Sequence, residues 1–224
     1  MLFKNLNLSI ICYYLVNILK YLYKIIIFIL MEVKLMVKPA NLEEEYFVVL
    51  TLNYDDLTPA VKIQKIIADK YDLYDENQCP ELHITIDRIK KDQTIKAQSI
   101  ISAIIKEIET IQIEIKNLKC FRHTNNFLIL DVEDTPSLVQ AAEEIHQKLS
   151  EKGISTLENY TEWEFHITLV SNHFADNPIP KFELDQLCLN LDGVPHEIST
   201  TANAVEIWRP KLDPKEKLIT SIKI

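Results

Sequence analysis

The sequence predicts an α+β protein built from two similar halves. Three observations predict it. Apolar positions alternate between strand period and helix period along the chain. A threonine-proline helix start occurs twice, at Thr58-Pro59 and at Thr135-Pro136. Each of those halves then reaches, after a loop, a strand reading His-Ile-Thr-apolar. Strands and helices in this order suit an antiparallel sheet with helices packed on it.

The elements follow in turn. Residues 46–52, YFVVLTL, are β-branched and aromatic and read as a buried strand. Thr58 caps the first predicted helix, and Val61, Ile63, Ile66, Ile67 and Tyr71 supply its apolar side. A polar loop at 72–81 leads to a short strand, Leu82–Ile86. A second helix is predicted over 93–109, with Ile101, Ile104, Ile105 and Ile108 on one side. Ile111, Ile113 and Ile115 alternate with polar residues, the period of a half-buried strand. A turn at 123–126 joins it to a returning strand, 127–133. Leu138, Ala142, Ile145 and Leu149 form the stripe of a third helix, ended by Gly153. Residues 165–170, FHITLV, read as a strand, followed by a short helix near 183–190 and strands around 198–208 and 216–224.

Of the 224 residues, 47% are hydrophobic, enough for one core or two small lobes sharing one. The net charge is −9, which argues against binding duplex DNA or any long polyanion over a broad face. One phosphate at an RNA end, or a small nucleotide, needs only a few local donors. The two glycines, Gly153 and Gly193, leave no glycine-rich phosphate loop. Cys79, Cys120 and Cys188 stand far apart and read as free thiols of a reducing compartment.

Residues 1–30 differ in composition from the rest. They hold no Asp, Glu, Arg, Gly, Pro or Ala, and their charges are Lys4, Lys20 and Lys24. Three readings compete: a membrane anchor, a secretory signal, or translated upstream sequence preceding a start at Met31 or Met36. The lysines count against the anchor, and the lack of a small-residue cleavage site counts against the signal. The reading adopted is a misplaced start, with residues 31–224 as the domain and a cytoplasmic location. A membrane-anchored protein is the alternative if residues 1–30 are native.

The chemistry lies in the repeated tetrapeptide. His83-Ile84-Thr85-Ile86 and His166-Ile167-Thr168-Leu169 are 83 residues apart. On a strand, alternate side chains share a face. Each copy therefore presents one imidazole and one hydroxyl while its aliphatic residues enter the core. Two copies by chance come to roughly 0.003 in a sequence of this composition. One histidine alone would read most simply as a packed residue; two in matching contexts point to function.

The pair resembles the signature of the two-histidine (2H) phosphoesterase superfamily, closest to its LigT-like, RNA 2′,3′-cyclic phosphodiesterase (2′-5′ RNA ligase) branch. The resemblance covers roughly residues 45–224. It implies two pseudo-symmetric α+β lobes, each an antiparallel sheet with helices, flanking a central cleft. It also implies that His83, Thr85, His166 and Thr168 line that cleft. One histidine would take a proton from water, the other would give one to the leaving sugar oxygen, and the threonines would hold the phosphoryl oxygens. No metal or cofactor is needed. Alternatives are 2′-5′ RNA ligation and a non-catalytic module that holds a phosphate end.

Other candidates are weaker. Arg88 is the basic residue after the first motif, and no arginine follows the second. Tyr160, Trp163 and Trp208 are aromatic enough to stack a base, and His173 lies close to the second motif. His146 reads as an exposed helix position, His123 as a turn residue and His196 as a tail residue. A monomer is expected.

Overall fold

The structure, a computed structural model, describes residues 40–75, 79–122 and 126–224. The expectations for residues 1–30 and for the turn around His123 lie outside these residues. The chain divides into two compact units. The larger comprises Pro39–Glu158 and Glu164–Ile224, and Asn159–Trp163 belongs to the other. No helix among the described residues is long and apolar enough to cross a membrane.

The larger unit is α+β. Its strands are β1 (Glu45–Leu52), β2 (His83–Lys90), β3 (Gln112–Arg122), β4 (Asn126–Val132), β5 (His166–Val170), β6 (Pro195–Trp208) and β7 (Leu218–Lys223). Its helices are α1 (Thr58–Tyr71), α2 (Thr94–Ile105), α3 (Pro136–Glu151), α4 (Lys181–Leu191) and α5 (Pro214–Lys217). The strands form one antiparallel sheet in the order β1-β2-β5-β4-β3-β6-β7, and β6 also pairs with β1.

The two predicted halves are visible in the pairing. One half is β2, β1, the C-terminal part of β6, and β7. The other is β5, β4, β3 and the N-terminal part of β6. The half-sheets are continuous rather than separate, because β6 is 14 residues long and serves both. On the other side they meet where Ile84 pairs with Ile167. The core is aliphatic: Leu50, Ile84, Ile86, Ile101, Ile113, Leu128, Leu130 and Ile167 are all fully buried. Burial of this kind contributes about 1.5–3 kcal/mol for each large side chain.

Helices cover the sheet as the stripes predict, with two corrections. α3 buries Leu138, Ala142, Ile145 and Leu149 and is capped by the Thr135 hydroxyl. Gly153 closes it at φ 64°, a conformation that costs glycine little. In α1 the buried residues are Ala60, Gln64, Ile67 and Ala68, while Ile66 is 67% exposed. The apolar count pointed to Ile66 because nothing in the sequence reveals that Gln64 Nε2 is buried by donating to the Pro80 carbonyl (2.9 Å). Thr58 does not cap α1 either; Leu57 holds that position.

The cysteine reading is overturned for one pair. Cys120 on β3 and Cys188 on α4 form a disulfide across 68 residues, with Cα atoms 5.6 Å apart, and Cys79 remains free. The spacing concealed it, because the chain returns only after α4, where Gly193 N donates to Leu118 O and Leu118 N to Val194 O (both 2.8 Å). A closed loop of that length stabilises by about 4 kcal/mol on the chain-entropy account. Cys120→Ser is expected to lower the unfolding free energy by about 2–4 kcal/mol in denaturant titrations under non-reducing conditions. No loss, or the same loss under reducing conditions, would argue against the bond.

His146 is also corrected. It is not a solvated helix residue; its Nδ1 lies 3.0 Å from Oδ2 of Asp87, a carboxylate with no exposure. Asp87 accepts in addition from the Ser155 hydroxyl (2.7 Å) and from the Arg88 amide (2.6 Å). Backbone bonds from Lys90 N to Ile154 O and from Thr156 N to Arg88 O (3.1 and 2.8 Å) lay the segment after α3 along β2. The strand that carries His83 is thereby fastened at its far end.

Candidate active site

The site begins with the alternation on two strands. In β2 and β5 the histidine and threonine are half-buried while Ile84, Ile86, Ile167 and Leu169 are buried. His83, Thr85, His166 and Thr168 thus occupy the non-core side, as the period predicts. Ile84 and Ile167 pair antiparallel. Continuing that register sets His83 across from Thr168 and Thr85 across from His166. The two motifs are related by a pseudo-two-fold axis through the isoleucine pair, and each histidine neighbours the other copy's threonine.

Both imidazoles are held in the same way. His83 Nδ1 donates to the Glu81 carbonyl and His166 Nδ1 to the Glu164 carbonyl, each at 2.8 Å. A carbonyl only accepts, so Nδ1 carries the proton and Nε2 is the basic nitrogen. The same tautomer in both copies turns the same nitrogen toward chemistry. Both acceptors lie two residues before the histidine, in Glu81-Leu82-His83 and Glu164-Phe165-His166.

Aromatic rings and lysines complete each half. The His83 ring lies 4.6 Å from that of Trp208, and the His166 ring 5.3 Å from that of Phe121. Trp208 pairs with Phe47 of β1 and Phe121 with Phe127 of β4, so the two walls occupy equivalent positions in the two half-sheets. The Lys217 ammonium sits 3.7 Å from the centre of the Trp208 ring and pairs with the Glu81 carboxylate. Lys119 bonds Glu164 (3.4 Å) and Asp131 (3.2 Å). Each catalytic candidate therefore has a lysine close by, bound to the glutamate that precedes it.

Burial lowers the proton affinity of both histidines. His83 is lowered to about 4, through desolvation first, with the charges of Lys217 and His166 acting in the same direction against the Glu81 carbonyl bond and carboxylate. His166 is lowered below its ordinary value, again chiefly by desolvation, with Lys119 adding to the drop and Glu164 and Asp131 opposing it. Neutral imidazoles are thus the resting state, and a bound phosphate anion would raise both.

The structure distributes the remaining candidates differently from the sequence reading. Arg88 is 3% exposed and its Nη1 lies 3.4 Å from Glu45. Beyond the register shift between Val48 and Val49 it opposes Phe47, two residues from the Val49 that opposes Thr85, so it lies on the His83 side of the sheet. Trp208 is 4% exposed and is a wall against His83 rather than a free platform. His173 is exposed in the 3-10 turn Asn172–Phe174, its ring edge-on to Phe174 at 4.9 Å. Tyr160 and Trp163 lie in the smaller unit, where Tyr160–Glu162 forms a single 3-10 turn entered through Asn159 at φ 56°. The sequence reading missed Glu81, Glu164, Lys119, Lys217, Phe121 and Asp131. The glutamates had a signal, since Glu-apolar-His-Ile-Thr occurs in both copies.

The chain belongs to the family described as the AKAP7 2′5′ RNA ligase-like domain, whose model matches residues 45–209, and through it to the 2H phosphoesterase superfamily. Among solved structures it is similar to TT0787 of Thermus thermophilus, at 14% identity and a TM-score of 0.55 over 80% of this chain and 95% of that one. It is also similar to a protein described as a phosphoesterase, at 13% identity and a TM-score of 0.47, and to Escherichia coli LigT complexed with ATP, at 13% and 0.44. Both cover 80% of this chain and 95% of the other. At these identities the likeness concerns the fold. No curated protein matches.

Proposed function

We propose that the chain hydrolyses a cyclic phosphodiester, a 2′,3′-cyclic phosphate at an RNA end or on a small nucleotide, with His83 and His166 as a general acid-base pair. The observation that carries this reading is the pairing of Ile84 with Ile167, which puts two identically held imidazoles and two hydroxyls on one face. One Nε2 takes a proton from water as its oxygen attacks phosphorus. The other, protonated, gives a proton to the sugar oxygen as its bond to phosphorus breaks, leaving a phosphomonoester. Thr85 and Thr168 donate to the non-bridging oxygens as charge grows there. Lys119 and Lys217 add positive charge beside the anionic substrate in a chain that is acidic overall. The pair accounts for both proton transfers without a metal.

His173 is proposed to contact the substrate beyond the phosphate. Arg88, opposite Phe47 on β1, is proposed with it. The family description favours a second reading, 2′-5′ RNA ligation, in which a ribose hydroxyl attacks the cyclic phosphate in place of water, one histidine taking its proton and the other protonating the sugar oxygen that leaves.

The test is turnover of nucleoside 2′,3′-cyclic phosphates in the presence of a chelator, with linear 2′-5′ oligonucleotides as a second substrate class. The pH dependence gives a sharper expectation. Both histidines are lowered by burial, so kcat/KM of the free enzyme is expected to be bell-shaped with its maximum below about pH 6.5, the ordinary histidine value. A maximum above about pH 8 would contradict the assignment of these two groups.

A further inference from the structure

The two halves of the site match in nearly every part. Each histidine donates Nδ1–H to a glutamate carbonyl two residues back, packs against an aromatic ring, and has a lysine bound to that glutamate. One position breaks the match in charge. Across the sheet from His83 stands Thr51, whose hydroxyl donates to the Ala204 carbonyl (3.4 Å). Across from His166 stands Asp131. These are equivalent positions, because Val49 and Ile129, two residues earlier, face Thr85 and Thr168 in the same way. Directly opposed residues of an antiparallel pair share a face, so Asp131 lies on the His166 side of β4.

We propose that Asp131 fixes the direction of proton transfer, making His166 the acid that protonates the leaving sugar oxygen and His83 the base that takes the proton from water. The proposal rests on the acid-base reading of the pair given above. Asp131 acts through His166 and is a positioning residue rather than a catalytic one.

The charges around each ring carry the argument. Those acting on His83 are Glu81, Lys217 and His166; those acting on His166 are Glu164, Asp131 and Lys119. Glu206, on the Trp208 side, accepts the Trp208 indole N–H at 2.6 Å. Lys217 serves Glu81, whereas Lys119 is shared between Glu164 and Asp131. Lys217 is also the better shielded cation, with 7% of its side chain exposed against 40% for Lys119, so solvent screens it less. A nearby carboxylate favours the imidazolium, and a nearby buried cation favours the neutral ring. When an anionic phosphate raises both rings together, His166 is the one that gains the proton first. The substrate then binds with its leaving oxygen toward Asp131 and the attacking water toward Thr51.

The variant Asp131→Asn keeps the shape of the side chain and a bonding partner for Lys119. With a nucleoside 2′,3′-cyclic phosphate as probe, the alkaline limb of the kcat/KM profile should move down by about one pH unit while the acid limb stays. Histidine NMR titration of the substrate-free protein should show His166 losing protons at lower pH and His83 unmoved. Asp131→Glu should restore both. Wild-type turnover with the acid limb displaced in Asp131→Asn would overturn the assignment alone, since His166 would then be the base. An unmoved His166 titration would overturn it as well. Absence of wild-type turnover would overturn the acid-base reading and this assignment with it.

Discussion

Alanine in place of His83 or of His166 is expected to lower kcat/KM for a 2′,3′-cyclic phosphate by about 10²–10⁴-fold in each case. The size follows from what each ring does. On the proposed mechanism each supplies one proton transfer, and water left in the vacated space is a far weaker base and acid. The rings are half-buried and pack on Trp208 and Phe121, so each truncation also removes a contact. Glutamine variants, which keep most of the volume, separate the two effects: they should be as inactive as alanine and nearly as stable as the wild type. The double variant should be hardly worse than either single one, because the two groups act in one step. Retention of full activity in either single variant would remove the pair from the mechanism.

Asp87→Ala is expected to cost about 3–5 kcal/mol of folding free energy, because each buried donor left without its acceptor costs about 1–3 kcal/mol. The carboxylate has no exposure and accepts from His146, Ser155 and the Arg88 amide. Truncation leaves three donors without their acceptor at the junction of β2, α3 and the segment after it. His146→Asn should cost less, because Ser155 and the amide keep their acceptor. Urea titrations monitored by circular dichroism read both, and a loss below about 1 kcal/mol for Asp87→Ala would show that the cluster is not an anchor. Asp87 is four residues beyond His83 on the same strand, so its loss should also loosen the catalytic strand and lower kcat.

Local pattern carried the two strands, the two threonines and the order of elements. His83 and Thr85 are two residues apart, and one strand period decides which side they take. The helix starts at Thr58 and Pro136 and the stripe of α3 are local in the same sense. What the sequence concealed depends on contacts between distant segments. Lys217 reaches Glu81 across 136 residues, and Lys119 reaches Glu164 across 45. Trp208 and Phe121 become equivalent only once β6 has paired with β1 and β3 with β4. The Cys120–Cys188 bond is of this kind, and so is His146, whose partner lies on a strand 59 residues earlier. Arg88 depends on an irregularity that composition does not show: the register shift between Val48 and Val49 sets it opposite Phe47, and its partner Glu45 lies 43 residues earlier. Glu81 and Glu164 were visible as a repeat, yet their role lies in a backbone carbonyl, which residue type does not announce.

The central claim is that two equivalently held histidines form a phosphoesterase site. It is tested most directly by single-turnover hydrolysis of adenosine 2′,3′-cyclic phosphate in excess chelator, wild type beside His83→Gln and His166→Gln. The account predicts a phosphomonoester product from the wild type and almost none from either folded variant. No product from the wild type, or equal product from all three, would contradict it.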